Sequence, residues 1–184
     1  MSTEQSKSNL NIPNILSVIR ILLIPLALWG MVKEEYLFSF TLLIIAGITD
    51  ALDGFLARKL NQLTPIGRAL DPLADKILFV SVFFTMGFGL ELFPAWFFWT
   101  ILGRDFLILV GFLVLVLNNK NRTISPTFSG KFHTVLLFVF LCVVLLSLSY
   151  GASIPLELMM YGMTLSTTVS FLDYLRLWVR RMSE

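Results

Sequence analysis

The sequence predicts an all-α integral membrane protein, a six-transmembrane-helix bundle with both termini cytoplasmic. Three observations predict it. The 184-residue chain is 57% hydrophobic and 14% charged, with mean hydropathy +0.83, whereas soluble domains carry about 25% charged residues. Apolar runs recur along nearly the whole chain. Basic residues alternate between successive loops. A water-soluble enzyme cannot hide this much apolar surface, and a disordered chain has the opposite composition.

The runs cover residues 14–31, 36–56, 72–90, 94–117, 132–150 and 154–179. About 20 mostly apolar residues cross a bilayer as a helix, and a helix satisfies its own backbone there. Runs this long exclude a β-barrel. Six spans consume the chain, so residues 14–184 read as a single domain behind a polar lead-in, residues 1–13. The length suits one domain.

Arg58, Lys59 and Arg68 lie between runs two and three; Lys120, Arg122 and Lys131 lie between four and five. Lys7 is near the N-terminus, and Arg176, Arg180 and Arg181 are near the C-terminus. The intervening loops carry Lys33 with Glu34 and Glu35, then Glu91, then Glu157. By the positive-inside rule both termini and the two long loops are cytoplasmic. Arg20 interrupts the first run and no A-x-A-like site follows, so no cleaved signal is expected. The single cysteine, Cys142, excludes an intrachain disulfide and a cysteine zinc cluster. A net charge of +2 is too small to suggest nucleic acid.

Ionisable residues inside spans are costly and usually functional. Asp50 and Asp53 sit in the inner part of run two, and Asp71 and Asp75 open run three. On a helix, Asp50, Asp53, Gly54, Ala57 and Arg58 fall within an arc of about 140°. Asp71 and Asp75 are i, i+4 and share a face. Antiparallel neighbours then aim four carboxylates into one space near the cytoplasmic surface. Four anions in a low dielectric cannot all stay ionised unaided. Either some are protonated, or a hard divalent cation such as Mg²⁺, Mn²⁺ or Ca²⁺ sits among them. Gly54 and Ala57 open space, and Arg58 offers a planar fork to phosphate oxygens. This constellation asks for a diphosphate or phosphodiester substrate.

Other polar and aromatic residues read more plainly. Arg20 lies near enough to the inner face to snorkel, and Asp105 can neutralise Arg104. Lys33, Glu34 and Glu35 form a solvated turn. Trp96, Phe97, Phe98 and Trp99 read as an outer interfacial belt. His133 reads as interfacial packing, and Cys142 as packing within a span.

The stretch from Asp50 to Asp75 resembles the signature of the CDP-alcohol phosphatidyltransferases, D-x-x-D-G-x-x-A-R-x8-G-x3-D-x3-D, with all eight fixed positions present at the right spacing. Residues 11–20, NIPNILSVIR, are similar to the family's lead into its first helix. The resemblance implies metal-dependent transfer of a phosphatidyl group from CDP-diacylglycerol to an alcohol, with release of CMP. It implies that Asp50, Asp53 and Asp71 are metal ligands for Mg²⁺ or Mn²⁺, as two ions. Asp75 would be the general base, with metal contact too. Gly54, Ala57, Arg58 and Gly67 match positions associated with the cytidine diphosphate. A homodimer in the inner, cytoplasmic membrane, with its active site facing the cytoplasm, is the implied setting.

Arg104 and Lys131 are candidates to receive an anionic group on the acceptor. Arg104-Asp105, Pro126-Thr127-Phe128 with Lys131, and Leu73-Ala74-Asp75-Lys76 look most like the CDP-dependent cardiolipin synthases. Their acceptor is phosphatidylglycerol. Glycerol-3-phosphate, the acceptor of phosphatidylglycerophosphate synthases, stands close behind, with inositol phosphate and serine further off. A membrane prenyltransferase also uses aspartate pairs, but without the Gly-x-x-Ala-Arg continuation. A cation carrier is disfavoured because Arg58 and Arg104 would repel its ion.

Overall fold

The computed structural model describes the backbone of residues 12–59, 76–117 and 127–183, and side chains over 18–50, 76–111, 114 and 127–180. The described residues form six helices and no strand: α1 (Ile12–Val32), α2 (Tyr36–Lys59), α3 (Lys76–Gly89), α4 (Ala95–Leu117), α5 (Phe128–Tyr150) and α6 (Leu156–Ser183). Each corresponds to one predicted apolar run. Among them α5 is long and apolar enough to cross a membrane. Val18–Val32, Tyr36–Asp50 and Lys76–Gly89 are shorter apolar helical stretches.

One boundary differs from the apolar pattern. The fifth run starts at Phe132, but α5 starts at Phe128. Thr127 is the reason. It is extended (φ −66°, ψ 153°), and its hydroxyl accepts the Gly130 N–H at 3.1 Å. An N-cap of this kind satisfies an otherwise orphan donor and lets the helix begin before the apolar run. Lys131 therefore lies in the first turn of α5 rather than in the loop before it. At the other end Gly151 is left-handed (φ 61°), and its N–H reaches Leu148 and Ser147 carbonyls. Pro155 then stands just before α6.

The chain divides into two compact units, Met1–Thr85 and Met86–Glu184. In the first, α1 and α2 pack as a hairpin. Lys33, Glu34 and Glu35 are an exposed turn, with Glu34 at φ 63° and the Glu35 N–H donating to Gly30 O at 2.8 Å. The seam is lined by small residues, which let helix backbones approach closely. Ala27, Ser39 and Ala46 are buried, and Ser39 Oγ donates across the hairpin to Ala27 O at 2.8 Å. A Cβ at Gly30 would lie 2.5 Å from Ser39 Oγ and 2.9 Å from Phe38 Cδ1. Only glycine leaves room for that hydrogen bond.

In the second unit, α6 packs on both α4 and α5. Phe93, Phe97 and Phe140 form an aromatic triangle with centroids 5.4–5.6 Å apart. This corrects the reading of residues 96–99 as one interfacial belt. Phe97 and Phe98 are 0% and 3% exposed, while Trp96 and Trp99 face outward. At 100° per residue the two phenylalanines share one face and the two tryptophans the other. Trp96 stacks on Tyr161 of α6 at 6.1 Å. Cys142 is buried, in keeping with a packing role.

Gly30→Val should lower stability by about 1–3 kcal/mol through overpacking and loss of the Ser39 bond. Gly162→Ala, where a Cβ meets nothing within 4 Å, should raise stability by about 0.5–1 kcal/mol through helix propensity. Thermal unfolding of both variants in detergent checks the pair; a neutral Gly30→Val would show that the seam is not close-packed.

Candidate active site

Five predicted site residues lie on α2. Its helical backbone runs without a break through Asp50, Asp53, Gly54, Ala57 and Arg58 to Lys59. That continuity places them at the register positions that the spacing requires for one shared arc. Of these, the described side chain is Asp50. Gly67, Asp71 and Asp75 lie outside the described residues, as do the side chains of Asp53, Ala57 and Arg58.

Asp50 is held by α1. Arg20 Nη1 lies 3.0 Å from Asp50 Oδ1, with side-chain exposures of 0% for Arg20 and 43% for Asp50. Arg20 and Asp50 each stand about four turns from the hairpin loop, so the antiparallel register brings them level. Arg20 therefore does not snorkel to the interface. A long side chain that could reach water is instead enclosed, because a carboxylate on the next helix meets it. The consequence for Asp50 is orientation. One oxygen is anchored, and the carboxylate remains nearly half exposed. An anchored, accessible carboxylate is an oxygen donor of the kind a hard divalent cation takes, and no group of three potential metal ligands gathers among the described residues.

A second cluster forms in the Met86–Glu184 unit. Arg104 Nη1 donates to Asp105 Oδ1 at 2.7 Å, which bears out the expectation that Asp105 neutralises it. Arg104 Nη2 donates to Ser170 Oγ on α6. The guanidinium carbon lies 5.5 Å from the centroid of the Tyr174 ring, a cation–π contact. Arg104 Nε is buried and has no hydrogen-bond partner among the described residues. Lys131 stands exposed on α5, next to Gly130, against which Tyr174 packs. His133 is 2% exposed, and its Nδ1 lies 3.3 Å from Ser166 Oγ. It is a buried histidine, in keeping with a packing role.

Ser166, Ser170 and Tyr174 were not legible as functional from composition. The signal that could have found them is their i, i+4, i+8 spacing, which puts them on one line along α6.

The described residues are helical apart from short connections, and α2 carries the first half of the aspartate signature. The profile of the CDP-alcohol phosphatidyltransferase family matches residues 10–171, and the chain belongs to that family. A "CDP-diacylglycerol--glycerol-3-phosphate 3-phosphatidyltransferase" of Aquifex aeolicus is 41% identical over 127 residues, covering 68% of this chain and 70% of the relative. A "Cardiolipin synthase (CMP-forming)" of Streptomyces coelicolor is 36% identical over 112 residues, covering 58% of this chain and 52% of the relative. The human protein named "Cardiolipin synthase (CMP-forming)" is 29% identical over 181 residues, covering 89% of this chain and 60% of the relative. The chain is thus an enzyme of the phosphatidyltransferase class, which sets aside the prenyltransferase and cation-carrier readings.

Removing one partner of a buried pair strands the other. Arg20→Met should cost about 1–3 kcal/mol, at the low side because Asp50 can hydrate. Adding Asp50→Leu should restore part of the loss without restoring turnover. Melting temperatures of the single and double variants, with an activity assay, check this; equal stability of Arg20→Met and wild type would remove the anchoring role.

Proposed function

We propose that the enzyme transfers a phosphatidyl group from CDP-diacylglycerol to the hydroxyl of phosphatidylglycerol, releasing CMP, at the cytoplasmic face of the inner membrane. The observation that carries this reading is the first half of the signature, Asp50 to Arg58, on one unbroken helix whose first aspartate is anchored by Arg20. In this reading six helices span the bilayer, both termini are cytoplasmic and the chain works as a homodimer.

Asp50, Asp53, Asp71 and Asp75 would hold two Mg²⁺ or Mn²⁺ ions, which supply neutralisation of the diphosphate and of the departing CMP. Gly54, Ala57, Arg58 and Gly67 take the cytidine diphosphate. Asp75 accepts the proton of the acceptor hydroxyl. The hydroxyl oxygen bonds to the β-phosphorus, and the bond from that phosphorus to the bridging oxygen breaks. CMP leaves with the electron pair. No covalent enzyme intermediate is needed.

Arg104 and Lys131 take the anionic group of the acceptor. Asp105 already balances much of the Arg104 charge. A site of that kind suits the single charge of a phosphodiester better than the double charge of a phosphomonoester. The names of the Streptomyces and human relatives agree with phosphatidylglycerol as acceptor. Glycerol-3-phosphate is the second reading, favoured by the 41% identity to the Aquifex relative.

Purified protein with CDP-diacylglycerol and each acceptor in turn, scored by lipid mass, should yield cardiolipin and CMP. Phosphatidylglycerophosphate as the product would transfer the assignment to the second reading. EDTA should stop turnover and Mg²⁺ or Mn²⁺ restore it. Asp53→Asn and Asp71→Asn should each abolish turnover with the fold intact; full activity in either would remove that ligand from the set.

A further inference from the structure

We infer that Ser170 and Tyr174 of α6, seated through Gly130 of α5, are positioning residues that fix the Arg104 guanidinium for the acceptor's phosphate. This rests on the reading of Arg104 as the acceptor's cation. Three groups hold the guanidinium: Asp105 takes Nη1 at 2.7 Å, Ser170 takes Nη2, and the Tyr174 ring lies beside the guanidinium carbon at 5.5 Å. Ser170 is fully buried, so its hydroxyl is committed to the protein interior.

Gly130 sets the Tyr174 ring. A Cβ there would fall 2.8 Å from Tyr174 Cε2 and 2.9 Å from its Oη, too close for the ring to stay in place. The helix that carries Lys131 thus also seats the ring beside Arg104. Arg104 Nε remains buried without a hydrogen-bond partner among the described residues. A buried orphan donor is costly. An anionic oxygen taking Nε–H, with a second oxygen on a remaining Nη hydrogen, would satisfy it in the bidentate manner that phosphate prefers. A planar fork already held in place loses little freedom on binding.

The test uses the full chain, purified in detergent, with CDP-diacylglycerol and phosphatidylglycerol. Ser170→Ala and Tyr174→Leu should each raise the acceptor KM by about fivefold to tenfold, the loss of one charge-assisted or cation–π contact, with the KM for CDP-diacylglycerol unchanged. Tyr174→Phe keeps the ring face and should keep the wild-type acceptor KM. Gly130→Ala should raise the acceptor KM in the wild-type background but add nothing to Tyr174→Leu, because both act through one ring. Equal changes in both KM values, or lower melting temperature with both KM values unchanged, would overturn the inference in favour of a purely structural role. Arg104→Ala separates the two levels. If it leaves the acceptor KM unchanged, the acceptor assignment of Arg104 fails. If it raises that KM while Ser170→Ala and Tyr174→Leu do not, only the positioning inference fails. Should Tyr174→Leu not fold, Ser170→Ala and Gly130→Ala carry the same test.

Discussion

A guanidinium sealed from solvent needs its counter-charge inside the protein, and in this chain that requirement ties α1 to α2. Arg20 has no exposed surface, and Asp50 meets it at 3.0 Å. Leaving a charge of this kind alone in an apolar interior costs several kcal/mol. Hairpin registers that separate the two residues are therefore disfavoured. The small-residue seam at Ala27, Gly30 and Ser39 allows the close approach on which the pairing depends. The first half of the aspartate signature is downstream of this constraint. Asp53 and Arg58 follow Asp50 on the same rigid helix, so fixing Asp50 against α1 fixes the position of their backbone too.

Arg20 is buried and Arg104 partly so, and they solve the same problem differently. Arg20 takes its acid from another helix, so its pairing is a tertiary contact. Arg104 takes Asp105 from the next position in the chain, so its charge is balanced before α6 arrives. What α6 adds is direction, through the Ser170 hydroxyl and the Tyr174 ring. A locally balanced charge is inexpensive to bury, and a directed one can recognise an anion with defined geometry. The line of Ser166, Ser170 and Tyr174 thus combines packing against α5 with contacts to the Arg104 guanidinium on α4.

Much of the fold was legible because long apolar runs announce helices by hydropathy and length. Each described helix corresponds to a predicted apolar run. The start of α5 was missed because hydropathy does not register a cap: Thr127 begins the helix with a side-chain hydrogen bond, ahead of the first long apolar stretch. The aromatic run at residues 96–99 was misread because composition does not say which face points inward. Phe97 and Phe98 entered the core, and Trp96 and Trp99 did not. Arg20 stayed open for a related reason, since a flexible side chain near a helix end is compatible with either snorkelling or burial until its neighbour is known.

By itself, the sequence determined the helical class, the apolar runs that become helices, the aspartate signature and the family, because each depends on residue type and spacing along one chain. The partners of the buried charges were decided only by the tertiary structure. Asp50 belongs with Arg20, and Arg104 with Ser170 and Tyr174, because helix register and the close approaches at Gly30 and Gly130 bring together residues that the chain itself holds far apart.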